Sequence, residues 1–274
     1  MKKHLSTILL IIIFLIGLSL LVYPTFSDWW NSLHQSSAIV SYENAAAELA
    51  PADYSALFSA AEEYNRQLET IAFPLMYYDQ VSGYEDLLNV TDTGILGYID
   101  IPKIDLALPI YHGTSETVLQ VAVGHLQGSS LPTGGENTHC VLSAHRGLPS
   151  ARLFTDLDMI AEGDIFTITV LDRLMTYEVD QILIVEPKQV DDLYVQEGMD
   201  LCTLVTCTPY GVNSHRLLVR GHRIENIEEA KVLRVTSDAV QISPVIVAPF
   251  VAAPMLLILL IVLMIPKRKS KKGD

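Results

Sequence analysis

Positive charge is scarce in this chain, and cysteine is scarcer. The 274 residues carry 18 Lys and Arg against 32 Asp and Glu. Seven of the 18 sit on two short tails, Lys2 and Lys3 at the start and Lys267, Arg268, Lys269, Lys271 and Lys272 at the end. Residues 24–243 are left with 11 basic and 31 acidic side chains. Neutralising phosphates takes clustered Lys and Arg, so this stretch argues against a nucleic-acid partner. Three cysteines, Cys140, Cys202 and Cys207, are too few and of the wrong parity for a disulfide framework. Their spacing with His145 also lacks the tight pairs of a structural zinc site, so no metal or cofactor is expected.

The chain is instead rich in apolar residues, at 50% hydrophobic with a mean hydropathy of +0.31. The excess lies in two runs, Leu5 to Tyr23 and Pro244 to Ile265, each free of charge and each about 20 residues, which is what a helix needs to cross a bilayer. The basic tails flanking them read as cytoplasmic by the positive-inside rule, which puts everything between outside the cell. No small-x-small cleavage site follows the first run, so it reads as a retained anchor. The boundaries expected are a tail at 1–4, a transmembrane helix at 5–23, a helical stalk and loop at 24–92, a catalytic domain at 93–226, a linker at 227–243, a second transmembrane helix at 244–265 and a basic tail at 266–274.

Residues 35–72 are rich in Ala and Glu, with apolar positions at helical spacing and Pro51 as the break, which predicts one or two helices packed on the main domain. From residue 95 short β-rich runs take over, separated by turn clusters such as LPTGGENTH and TPYGVN. Seven or eight such strands, interrupted by short helices near 116–123 and 151–160, predict an all-β barrel or sandwich. Residues 73–92 have no clear period and read as a loop.

Cys202 and Cys207 lie five apart in the run DLCTLVTCT, so a strand there points them to opposite faces. Cys207 ends that strand at a tight turn, and the next strand returns as HRLLVRGHRI. A hairpin centred on Tyr210 to Val212 brings Arg216 alongside Cys207, where a guanidinium can depress a thiol pKa or hold a developing oxyanion. An ion pair with one of the many carboxylates is the alternative for Arg216, and it is the reading taken for Arg220 and Arg223. Thiol chemistry also needs a proton donor. His145 ends a strand at a Gly-Pro loop and so projects at a rim, with His112, His125 and His215 as rivals.

The segments IDIPKIDLALPIYHGTS, GHLQGSSLPTGG, VLSAHRGLP and TLVTCTPYGVNSHRLLVRGHR resemble class C sortases, the pilin-polymerising transpeptidases of Gram-positive bacteria, through most of residues 85–225. The resemblance implies a closed eight-stranded sortase-type β-barrel with short helices, a helical stalk and a transmembrane helix at each end. It implies that His145, Cys207 and Arg216 form the catalytic set, without cofactor or metal. The implied partners are the membrane and pilin or surface-protein substrates with LPXTG-like sorting signals, joined to a lysine amine. The implied place is the cell membrane, spanned twice, with the catalytic domain outside. Class C enzymes typically carry an Asp-Pro-aromatic plug, whereas residues 73–92 offer only Tyr77, Tyr78 and Asp79, so the site is expected to be open. A housekeeping sortase acting on peptidoglycan amines and a non-catalytic surface-binding barrel are the alternatives.

Overall fold

A computed structural model describes residues 2–226, with side chains described from residue 11. The expected linker at 227–243, second span at 244–265 and basic tail at 266–274 lie outside the described residues.

Eight strands close into a barrel in the order β1-β2-β3-β4-β7-β8-β6-β5. They are β1 Ile95–Ile101, β2 Leu106–His112, β3 Val123–His125, β4 Thr138–Ser143, β5 Ile165–Val170, β6 Arg173–Val185, β7 Asp200–Thr208 and β8 His215–Ile224. Closure leaves no unpaired sheet edge, which suits short strands exposed to water on one face. Alternation along β1 shows how the inside is filled: Ile99 and Ile101 are fully buried, while Tyr98 and Asp100, the residue before each, are half-buried. Of the eight neighbour contacts, β2–β3 and β4–β7 are parallel.

The closed barrel agrees with the expectation, and the differences are local. The helix expected over 116–123 stops early: α3 spans only Glu116–Leu119, and Val123 already belongs to β3, a three-residue strand too short to show a period. Residues 151–160 form no α-helix. Their backbone donors find partners elsewhere, Arg152 N–H on Asp28 Oδ1 at 2.7 Å and Phe154 N–H on the carbonyl of His145 at 3.1 Å, which leaves only a 3-10 turn at Leu157–Met159.

The N-terminal helix α1 runs unbroken over Lys2–Ala47, continuing through Pro24. Among the described residues it alone is long and apolar enough to cross a membrane, with a mean hydropathy of 1.9 in its most apolar window and none of that window buried. Its far end docks on the barrel through Ile39, Tyr42 and Ala46, and the buried Tyr42 hydroxyl donates to the carbonyl of Leu96 while accepting from the N–H of Leu171. A second helix, α2, spans Pro51–Glu69, with Pro51 in the first turn, where its missing N–H costs nothing. Asn65 locks α2 to the barrel: its amide takes the N–H of Leu131 at 2.8 Å and donates to the Leu131 carbonyl and the Thr133 hydroxyl.

Candidate active site

Cys207, near the end of β7, stands directly opposite Arg216 on β8. Side chains of opposed residues in an antiparallel pair share a face, with Cβ atoms about 5 Å apart. The face is the outer one, because Cys202, Leu204 and Thr206 are buried in the barrel while Val205 and Cys207 are partly exposed. The two cysteines of the run therefore do point to opposite faces. Cys202 instead faces Cys140, its partner in the parallel β4–β7 pair, and burial pushes the Cys202 thiol up. A thiol held neutral in the interior is not a nucleophile.

The Arg216 guanidinium folds back on the hairpin turn, donating to the carbonyls of His215 at 3.0 Å and Asn213 at 3.3 Å. Among the described residues it has no carboxylate partner. Arg220, two positions along the same face, makes a bidentate pair with Asp180, both contacts 2.9 Å. Arg223 lies over the Tyr177 ring and bonds to carbonyls, so the ion-pair reading holds for Arg220 and not for Arg223.

His145 follows the end of β4. That strand runs parallel to β7 with Ser143 level with Val205, so extending the register by two residues brings His145 level with Cys207. Two bonds carry the pairing past the strand end, Ala144 N–H to the carbonyl of Val205 at 3.2 Å and the Thr206 hydroxyl to the carbonyl of Ala144 at 2.8 Å. The His145 Nε2 lies 3.4 Å from Glu116 Oε2 in α3. Gln120 donates to the other carboxylate oxygen at 2.9 Å, and this bond, then His145, holds the Glu116 carboxyl below its usual range. Sequence reasoning passed over Glu116, because a lone acid at a helix start carries no signal until the fold places a histidine beside it.

The rival histidines are elsewhere. His125 is fully buried, its Nε2 on the carbonyl of Ser130 and its Nδ1 accepting from the Tyr84 hydroxyl. His112 is buried against the carbonyl of Gly94. His215 pairs with Thr208 on the face opposite Cys207. His139 was not singled out from the sequence. Its Nδ1 meets the Tyr194 carbonyl at 2.9 Å, and since a carbonyl only accepts, Nδ1 carries the hydrogen and Nε2 accepts from Thr203 at 2.7 Å. It thereby ties the β6–β7 connection to the strand bearing Cys207.

An apolar patch continues from Cys207 and Arg216 along the outer face. Val205 and Leu218, two residues on, are again direct partners, and Val141, Val185 and Leu193 complete its buried part. This patch is not bare. Leu75 packs on it, and the chain before Leu75 is held by Gly128, whose φ of +94° and lack of a side chain leave room for the Pro74 carbonyl. A Cβ there would stand 2.6 Å from that oxygen. Tyr77, Tyr78 and Asp79 are exposed, as expected of residues that plug nothing. Just before them, Leu75 lies on the apolar patch and the Pro74 carbonyl on Gly128, while Cys207 itself stays partly exposed. An apolar pair in a loop without period gives no sequence signal for such a contact. Beyond Leu75 a cavity of about 440 Å³ opens between α2 and the β6–β7 connection, lined by Leu68, Ser129, His139 and Tyr194. Among the described residues, no group of three or more His, Cys, Asp or Glu could hold a metal ion.

A family model described as the sortase domain matches residues 99–224. The sortase C1 of Streptococcus agalactiae superposes with a TM-score of 0.64 at 48% identity, covering 70% of this chain and 100% of that one. The chain belongs to the sortase family. A sortase C of Streptococcus pneumoniae, whose structure is described as informing catalysis and pilin substrate specificity, gives a TM-score of 0.63 at 44% identity over 69% of this chain and 97% of that one. The structural neighbours of this sortase are thus class C members from Streptococcus. Curated relatives are more distant: sortase D of Bacillus subtilis is 30% identical over 47% of this chain, and sortase A of Streptococcus agalactiae 32% over 42%. The matches span 63% and 47% of those two relatives' own lengths.

Proposed function

We propose that this sortase is a membrane-anchored cysteine transpeptidase that cleaves LPXTG-like sorting signals and joins pilin subunits through a lysine amine, with Cys207, His145 and Arg216 as its catalytic residues. The observation that carries the reading is the register: one outer face of the β4-β7-β8 sheet brings a partly exposed thiol, an arginine that meets no carboxylate among the described residues and a rim histidine to the same level.

In the first half-reaction the Cys207 sulfur attacks the threonine carbonyl carbon of the signal, and the carbonyl oxygen takes up negative charge. Arg216 faces that position and can turn from the turn carbonyls to the oxyanion at little cost, because it gives up no ion pair. The C–N bond to glycine then breaks, His145 gives its proton to the departing amine, and a thioester remains on Cys207. In the second half-reaction a lysine ε-amine attacks the thioester, His145 accepts a proton, the C–S bond breaks and an isopeptide bond forms. Glu116 holds the imidazole at the rim between these steps.

The apolar patch under Leu75 and the cavity beyond it supply a floor for the residues of the signal that precede the scissile bond. The class C neighbours favour pilin as the substrate over peptidoglycan. For location we propose a two-span protein with residues 24–243 outside, the second span being 244–265, on the strength of charge-free apolar runs and basic tails. Reporter fusions placing both ends in the cytoplasm are the expected result, and a C-terminal reporter outside contradicts the topology. The activity itself is tested by mass spectrometry for a thioester between Cys207 and the threonine of an LPXTG-type peptide.

A further inference from the structure

Helix α1 does more than leave the membrane. From Asp28 onward one stripe of it, Asp28, Asn31, Gln35, Ile39, Tyr42 and Ala46, turns toward the barrel at spacings of three and four residues, a single helix face about 27 Å long. The upper half of the stripe is apolar and buried. The lower half is polar and grips main chain: Asp28 Oδ1 accepts from the N–H of Arg152 at 2.7 Å, Asn31 donates to the carbonyl of Ser150 at 2.7 Å and Gln35 to the carbonyl of Val121 at 2.8 Å. These bonds seize the two segments beside the His145–Glu116 pair and fix their height along the helix.

That height can be read. The apolar run ends at Tyr23, and Asp28, the first charged side chain after it, lies five residues later, about 8 Å along the axis. The headgroup layer on one side of a bilayer is roughly 5–8 Å thick. On the face turned away from the barrel, Phe26 contacts Trp29 and Trp30 at ring separations of 5.7 and 6.3 Å, and all three are exposed, as in an interfacial aromatic belt. The 147–152 loop therefore lies level with that belt. Against the loop rests the β7–β8 turn: the Tyr210 ring packs on Gly147, and Tyr210 and Val212 are 61% and 70% exposed. Pro149 is exposed beside them. The nearby carboxylates do not oppose a lipid surface, because Asp156 pairs with Arg152 and Asp158 with Arg146.

We infer that α1 is a rigid strut that seats this rim, the 147–152 loop with the β7–β8 turn, on the lipid headgroups, so that the Cys207 end of the site works against the bilayer surface. The inference rests on the reading of α1 as a retained membrane anchor. A jointed tether would let the barrel tumble, whereas a continuous helix docked over five turns sets one orientation.

The test uses the full chain carrying Cys207→Ala in phosphatidylcholine/phosphatidylglycerol vesicles. A fluorophore is attached to a single added cysteine in Val212→Cys, Pro149→Cys or, as a distal control, Glu197→Cys, and lipids with a headgroup quencher are added. The strut predicts several-fold stronger quenching at 212 and 149 than at 197. It also predicts that Asp28→Ala with Asn31→Ala and Gln35→Ala removes the difference while the protein still floats with the vesicles. Equal quenching at all three positions in protein that floats with the vesicles overturns the strut and leaves the anchor standing. Protein that does not associate with vesicles overturns the anchor reading and the inference with it.

Discussion

Cys207 and Arg216 are direct partners across the β7–β8 ladder, and among the described residues Arg216 meets no carboxylate, in a domain crowded with them. In so acidic a segment an unpaired arginine is left available for another anion. In the proposed mechanism that anion is the substrate carbonyl oxygen as Cys207 attacks it.

Arg216→Lys is therefore expected to be severely impaired although the charge is kept. A planar fork directs two hydrogen bonds where an ammonium acts as a point charge, and loss of an oxyanion donor costs on the order of 10²-fold in rate. The measurement is kcat for peptide cleavage. Near-native turnover in the lysine variant moves Arg216 out of the catalytic set.

The cover over the apolar patch makes a second prediction. Leu75→Ala should speed alkylation of Cys207 several-fold, because Leu75 packs on the same patch as Val205, two residues from the thiol on the same face. Replacing Tyr77, Tyr78 and Asp79 together by alanine should change the rate little, since those side chains stand in solvent. The reverse order of effects shows that the covering segment has been placed wrongly.

Stability should depend on pH through the buried histidines. Burial holds His112 and His139 below their ordinary value, more than their backbone hydrogen bonds raise it. The unfolded chain then binds protons first, so stability is full above about pH 6.5 and is lost as the pH falls below that. Asp100 acts in the opposite sense, since burial, and then Asp105, raises its carboxyl to about 6, which adds stability as the pH falls from 6 toward 4. The measurement is accordingly a difference: urea midpoints of the parent and of His139→Gln across pH 7.5 to 5. The parent should lose more over that range than the variant, and parallel curves exclude His139 as a contributor.

Much of this was legible in the sequence, for physical reasons that differ by region. The long strands announce themselves because half their residues are buried, so period-two alternation is written into Phe166, Ile168 and Val170 or into Cys202, Leu204 and Thr206. The opposed faces of Cys202 and Cys207 follow from that period alone. The three-residue β3 spans less than two periods and is hidden. The 151–160 segment misleads because its donors are taken by non-helical partners, Phe154 N–H by the carbonyl of His145 and Arg152 N–H by Asp28, and a local pattern cannot show a partner such as Asp28 more than 100 residues off. Glu116 and the Pro74–Leu75 contact are hidden in a similar way, because their partners His145 and Gly128 also lie outside any local window.

The proposed reaction turns on Cys207 as the nucleophile. Mass spectrometry of the detergent-solubilised full chain incubated with an LPXTG-type peptide tests it most directly. The expected product is an adduct of the peptide up to its threonine, joined as a thioester to Cys207, present in Cys202→Ala and absent from Cys207→Ala with the barrel still folded. An adduct that persists in Cys207→Ala and disappears in Cys202→Ala contradicts the account.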